Sequence, residues 1–342
     1  MKAMILQGIS LFADNPAPLV PAEMAEPAPG EAEILIAVSA CGVCHTELDE
    51  IEGRTPPPAF PIIPGHQVVG RVAARGANAG RFRIGERVGV GWIHRACGTC
   101  SACRAGSENL CERFSATGRD ANGGYAELMT VPEAFAYAIP GLFSDAEAAP
   151  LLCAGAIGWR SLRLTGLRDG QNLGLTGFGA SAHLVLTMAR HRFPRAQIFV
   201  FARSERERAF ARELGASWAG ATEEAPPEKL QAVIDTTPAW KPVVEALKNL
   251  APGGRLVINA IRKEAQDRPE LLRLDYPAHL WLEKEIRSVA NVTRSDIREA
   301  LALAAEIPLR PEVTEYPLAD ANRALAELRE GKIRGAKVLR MG

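Results

Sequence analysis

Cys97, Cys100, Cys103 and Cys111 follow the pattern C-x-x-C-x-x-C-x7-C, which places four thiols in one short segment. Tetrahedral zinc takes four soft ligands at about 2.3 Å, and a closed four-thiolate site leaves no position open for substrate. The cluster therefore reads as a structural metal site. Three more cysteines, Cys41, Cys44 and Cys153, make an odd total of seven. Clusters this tight suit metal ligation in a reducing, cytoplasmic compartment better than disulfide bridging. A zinc-ribbon nucleic-acid module would use similar ligands. However, 40 Lys and Arg are balanced by 40 Asp and Glu, with no basic stripe, so neither nucleic acid nor an anionic membrane is expected as a partner.

A second chemical signal is Gly177-Phe-Gly179-Ala-Ser-Ala182, which follows a short apolar run and opens a helical one. It fits the dinucleotide fingerprint with Ala in the third small position. The glycines allow a tight turn and a close approach to a pyrophosphate, which the free N–H groups at the helix start would bind. An NAD site carries an acid at the end of the next strand, about 20 residues on. Here Ala202 takes that place and Arg203 follows it. An Arg can hold a 2′-phosphate, so NADP(H) is favoured over NAD(H). A solvated helix start built from Arg203, Arg206 and Arg208 is the alternative.

These residues need elements to hold them. The 342 residues are enough for two domains, and 47% apolar with 23% charged residues fits a soluble globular protein rather than a disordered one. Up to about residue 150 the chain shows short β-rich runs, Glu33–Val38, Gln67–Val72 and Glu86–Gly91, separated by Gly and Pro. They predict an antiparallel, partly barrel-like β domain. Beyond it, strand-like runs at Asn172–Thr176, Gln197–Ala202, Ala232–Thr236 and Arg255–Ala260 alternate with helical stretches at Ser181–Arg190, Ser204–Leu214 and Ala239–Leu250. Such alternation predicts an α/β, doubly wound parallel sheet. Helices near Ser295–Ala305 and Ala319–Glu330 and a strand at Ala336–Arg340 close the chain.

Two stretches imitate membrane signals. Ala3–Ala13 is mostly apolar but is interrupted by Gln7, and it reads as part of a strand pair. Gln171–Ala189 contains no Asp, Glu, Lys or Arg, yet its glycines suit strand, turn and helix. No targeting or spanning segment is expected.

Ala40-Cys41-Gly-Val-Cys44-His45-Thr46-Glu47, then Pro64-Gly65-His66-Gln67, the tetrad, and Leu151-Leu-Cys153-Ala-Gly155 occur in that order. Spacing alone does not unite Cys44, His66 and Cys153. Together with the closing Gly331-Lys-Ile-Arg334-Gly335, however, the fragments resemble the zinc-dependent alcohol dehydrogenases of the medium-chain dehydrogenase/reductase superfamily over nearly the whole chain. The resemblance implies a GroES-like catalytic domain of residues 1–153 and 290–342, and a Rossmann domain of residues 154–289. It implies two Zn2+ per chain, one in the tetrad and one held by Cys44, His66 and Cys153 with its fourth position free. An open Cys2His set is the pattern known for alcohol dehydrogenase. By the same resemblance Glu47 orients His66, Thr46 passes the substrate proton, His45 and Arg334 lie at the cofactor phosphates, and Trp92 lines the substrate pocket. Cys41 is a spectator.

Two positions depart from the family. Asp49 stands where many members have the last histidine of the proton relay, so the proton would leave through this carboxylate, through water or through the ribose, and Gln67 replaces a glutamate beside the zinc-ligating histidine. Neither removes a ligand. The implied activity is reversible hydride transfer between an alcohol and NAD(P)+, giving an aldehyde or ketone, in a homodimer or homotetramer. A zinc-free quinone or enone reductase on the same scaffold, and a non-catalytic nucleotide-binding zinc protein, are the competing readings.

Overall fold

The computed structural model describes residues 1–331 and 335–342. The chain forms two compact units, one of Met1–Cys153 with Thr293–Gly342 and one of Ala154–Val292.

The first unit is built around the long strand Glu33–Val43. Its alternating apolar residues put Ile34, Ile36, Val38 and Ala40 on the buried face, as period-two side-chain geometry requires. Gln67–Arg75 pairs with it on one side and Ala336–Arg340 on the other, both antiparallel. Arg87–Val90 and Ala136–Ala138 extend the sheet beyond Gln67–Arg75. Val313–Pro317 adds the opposite edge in parallel with Ala336–Arg340, and Leu128–Pro132 pairs with Glu33–Val43. The N-terminal apolar run is a strand, Lys2–Leu6, paired antiparallel with Leu19–Glu23. Its side chains join the core of Ile34, Ile36, Val68 and Val88.

The second unit is a six-stranded sheet in which every pairing is parallel. Its spatial order is Trp218–Gly220, Ile198–Phe201, Leu173–Thr176, Leu230–Asp235, Leu250–Ile258, Glu285–Ser288. In chain order that is 3-2-1-4-5-6, the doubly wound Rossmann arrangement. The order reverses between Leu173–Thr176 and Leu230–Asp235, so the ligand crevice of such sheets lies at their carboxyl ends. Two strands of this sheet escaped sequence reading. Trp218–Gly220 is very short, and Glu285–Ser288 is an edge strand whose side chains are all exposed, so neither shows an apolar run. The uncharged stretch from Gln171 forms strand, glycine turn and the helix Ala182–Arg192. Among the described residues no helix is long and apolar enough to cross a membrane.

Candidate metal centres and dinucleotide site

Cys44 ends the central strand's turn and caps the helix His45–Ile51. Its sulfur accepts from the Thr46 amide at 3.4 Å while Glu47 Oε2 accepts from the Cys44 amide at 2.8 Å. This capping box leaves Oε1 of the fully buried Glu47 pointing at His66 Nδ1, 2.5 Å away. His66 itself precedes the strand Gln67–Arg75, and the turn before it needs glycine. Gly65 has φ +97°, and a Cβ there would lie 2.3 Å from the Tyr125 ring and 2.9 Å from Cys41 Sγ.

Cys153 enters from a different element. Pro150 ends the helix Asp145–Pro150 and lacks the N–H that would continue its hydrogen-bond ladder. A single π-helical turn, Leu151–Gly155, follows before the helix Ala156–Thr165 begins. Such turns often occur at functional sites, and this one carries Cys153 Sγ to 3.3 Å from His66 Nε2. The ligand atoms of Cys44, His66 and Cys153 all lie within 4.8 Å of one another. Tetrahedral ligands at zinc distances stand roughly 3.5–3.8 Å apart, so this set fits zinc. The electrostatics agree. Against the desolvation of burial, the Glu47 carboxylate and Cys44 hold His66 well above its ordinary pKa, and hydrogen bonds from Cys153 and His66 hold Cys44 well below its own. Carboxylate and the Cys44 thiolate thus favour positive charge in their midst, while the hydrogen bond to Cys44, then burial, holds the Cys153 thiol well above its ordinary pKa. Cys41 differs: burial keeps its thiol well above its ordinary pKa, and its sulfur packs against Gly65 and Gly124.

The tetrad is the second group whose ligand atoms lie within 4.8 Å. Cys97 Sγ and Cys103 Sγ are 3.8 Å apart, the edge of a tetrahedron with metal–sulfur distances of about 2.3 Å. The Thr99 and Cys100 amides pull the Cys97 thiol down to about 5, toward the thiolate a metal requires. Glu108, between Cys103 and Cys111, accepts from the Arg294 amide at 2.8 Å and from its guanidinium at 2.9 Å.

Around the first group, Thr46 Oγ1 lies 3.4 Å from Cys44 Sγ. His45 is at the helix start and exposed, at the position after Cys44. Asp49 does not face solvent as a relay exit would. It is 2% exposed, and Arg54 Nε donates to it at 2.5 Å. Gln67 is buried, with its amide over Gly42. Trp92 packs on Phe114 at 5.2 Å between ring centres, and the Arg119 guanidinium lies 5.7 Å from both rings. Sequence reading missed Glu50, whose two buried oxygens have no hydrogen-bond partner among the described residues; burial, then the Glu47 charge, pushes its carboxyl well above the usual range. A charged residue in a helical window gives no sign of burial.

In the parallel-sheet unit, Gly177 adopts φ +75°, and its amide donates to Phe201 O at 2.8 Å. A Cβ on Gly179 would meet nothing within 4 Å, which is the open approach a pyrophosphate needs. Ala182 is buried at the start of the following helix. Ala202 hydrogen-bonds through its backbone to Gly220 and Arg208. Arg203 is exposed and forms no ion pair among the described residues. Glu205, two residues on, pairs with Arg208 at 2.9 Å and Arg212 at 2.8 Å. Arg334 lies outside the described residues.

Residues 30–141 match the family model of the alcohol dehydrogenase GroES-like domain, and residues 195–339 that of the zinc-binding dehydrogenases. "Probable alcohol dehydrogenase AdhA" of Mycobacterium tuberculosis is 46% identical over 92% of this chain and 90% of its own length. The chain belongs to the alcohol dehydrogenase family. This dehydrogenase is also 32% identical to an alcohol dehydrogenase of Moraxella sp., over 92% of this chain and 93% of that one. Among solved structures, the cobalt- and zinc-bound thermostable alcohol dehydrogenase of Pyrobaculum aerophilum superposes with a TM-score of 0.87 at 24% identity, covering 99% of each chain. The protein is thus an oxidoreductase acting on CH–OH groups, with the medium-chain dehydrogenase fold.

Proposed function

We propose that this alcohol dehydrogenase is zinc-dependent, carries two zinc ions per chain and prefers NADP(H). The observation that carries the reading is the convergence of Cys44, His66 and Cys153, from three separate elements, within 4.8 Å. These three residues would hold the catalytic zinc and the tetrad the structural one. When bound, zinc supplies Lewis acidity toward the substrate oxygen and the nicotinamide accepts or returns the hydride. Glu47, through its contact with Nδ1, fixes the His66 ring so that Nε2 faces the metal position. Thr46 Oγ1 would accept the proton of the substrate hydroxyl while its own hydroxyl proton passes on toward solvent, and Trp92 walls the substrate side. Asp49, held by Arg54, steadies the helix and is not the terminal proton acceptor. His45 and the turn at Gly177 and Gly179 are assigned to the cofactor phosphates.

Arg203 sets the cofactor preference. Ala202 offers no carboxylate to a ribose 2′-hydroxyl, while Arg203 offers a permanently charged donor fork to a 2′-phosphate. Glu205 is engaged by Arg208 and Arg212, which removes a nearby acid that could neutralise it. A charge-assisted contact of about 1.5–3 kcal/mol corresponds to roughly ten- to hundredfold. Assays of primary and secondary alcohols, aldehydes and ketones with each cofactor test both claims. We expect kcat/KM to favour NADPH over NADH by that factor, and Arg203→Ala to erase the preference. A parent that favours NADH, or an unmoved variant, would refute the assignment.

The proposal includes self-association. Glu285–Ser288 is an outer strand of the parallel sheet, and Leu280, Trp281 and Leu282 beside it are exposed, with Trp281 at 54%. Open strand edges and apolar patches of this kind invite a second copy. Sedimentation should report a dimer or tetramer, and Ile286→Lys should shift it toward monomer. Thiol-based sites suit a reducing compartment, so we place the enzyme in the cytoplasm.

A further inference from the structure

Asp235 is the last residue of the strand beside Leu173–Thr176, at the point where the sheet order reverses, and it is completely buried. One carboxylate oxygen, Oδ1, accepts from Thr176 Oγ1 at 2.5 Å, from Thr237 Oγ1 at 2.8 Å and from the Thr237 amide at 3.2 Å. The other oxygen receives the ammonium of Lys263, whose side chain is 8% exposed. The same nitrogen donates to Thr237 O at 2.8 Å and Ala239 O at 2.9 Å. All three ammonium protons therefore have partners. Three acceptors converging on one tetrahedral nitrogen suit lysine and not the planar fork of arginine. Nearby, the Glu264 amide donates to Pro238 O at 2.8 Å, and Asp267 Oδ2 accepts from the Trp240 and Lys241 amides at 2.7 and 2.9 Å.

The loop 236–240, which follows Asp235, is thus stapled to the segment 261–267, which follows the next strand. It also lies against the glycine turn. A Cβ on Gly177 would come 2.9 Å from Thr237 Cγ2 and 3.0 Å from Thr236 Oγ1. A buried ion pair adds little net stability compared with an apolar pair of similar size. Its distinctive effect here is geometric, because it fixes two loops at the carboxyl ends of adjacent strands.

We propose that Lys263 is a positioning residue for the dinucleotide: through Asp235 it holds the loop 236–240 in register against the Gly177 turn, so the cofactor meets a preformed wall. This rests on the reading of that turn as the dinucleotide site. Preorganisation of a binding loop lowers the ordering cost of binding, so its loss falls on affinity. Lys263→Met leaves Asp235 charged and buried, which can unfold the unit. The double variant Asp235→Asn with Lys263→Met removes both charges and keeps a carbonyl for Thr176, so it serves as the second test.

Two measurements on the full chain decide the matter. In cofactor-free protein, deuterium exchange at the Thr237 and Glu264 amides should rise at least tenfold in the double variant, while the strand Leu230–Asp235 stays protected. Titration with NADPH and NADH should then show dissociation constants raised about tenfold, with the kinetic loss on cofactor KM more than on kcat. Unchanged exchange would overturn the latch whichever cofactor the parent binds. A loosened loop with unchanged affinity would overturn its positioning role. A parent that binds neither cofactor would instead refute the dinucleotide reading, and the exchange result would still judge the latch.

Discussion

His66→Ala protein is expected to fold, to bind NADPH, and to lose turnover by about a thousandfold or more. His66 is 1% exposed, its Nε2 is 3.3 Å from Cys153 Sγ, and its Nδ1 is bound to Glu47. Removing it leaves two thiols where a three-ligand open site is proposed, and burial, which already pushes the Glu47 carboxyl above its ordinary range, lets it take a proton rather than stay charged. Lewis-acid stabilisation is worth several kcal/mol in the transition state, and about 1.4 kcal/mol corresponds to tenfold in rate. Cys44→Ala should behave in the same way, and each variant should retain one zinc of the parent's two by metal analysis. Glu47→Gln keeps the shape but weakens the hold on the ring, so a loss of roughly ten- to hundredfold is expected. Thr46→Ala should be severe and Asp49→Asn mild, because Asp49 is occupied by Arg54. Near-normal turnover in His66→Ala would remove it from the ligand set. Equal large losses in Thr46→Ala and Asp49→Asn would place Asp49 in the proton path.

Cys100→Ser should act on stability instead. The segment from Cys97 to Cys111 has almost no core of its own: its α-helix, Ser101–Arg104, buries no residue, and Leu110 is exposed. Metal ligation in such a lobe supplies folding free energy directly. Losing the site should lower the melting temperature by about 5 °C or more, since ~1 kcal/mol moves a domain of this size by a few degrees. The lobe also anchors Arg294 through Glu108, so the helix Arg294–Glu306 should lose protection with it. Dialysis against a chelator should separate the two metals. The three-ligand site should empty first, with activity, while the four-thiolate metal persists. An unchanged melting temperature with a full zinc complement in Cys100→Ser would refute the structural role. Parent protein holding one zinc or fewer would refute the two-metal proposal.

Whatever short-range geometry controls could be read from the residues of this chain. The thiols of Cys97, Cys100, Cys103 and Cys111 become neighbours by their spacing, and strand-glycine-helix at Leu173–Arg192 is local turn chemistry. The alternation of apolar runs with helical stretches set the parallel sheet, because neighbouring elements in such a chain pack against one another. The remainder needed the folded chain. Cys44, His66 and Cys153 are brought together by a capped helix, a glycine turn and a π-helical turn that no spacing rule connects. Their union could be expected from family resemblance but not from the residues. Lys263 and Asp235 follow different strands and read as ordinary charges until the sheet sets their loops side by side. Asp49 looked like a relay group on its helix, yet its solvent access depends on where Arg54 lies, and the buried Glu50 gave no signal at all. Periodicity reports which residues prefer burial; which charged groups are forced into it, and with what partners, follows only from long-range packing.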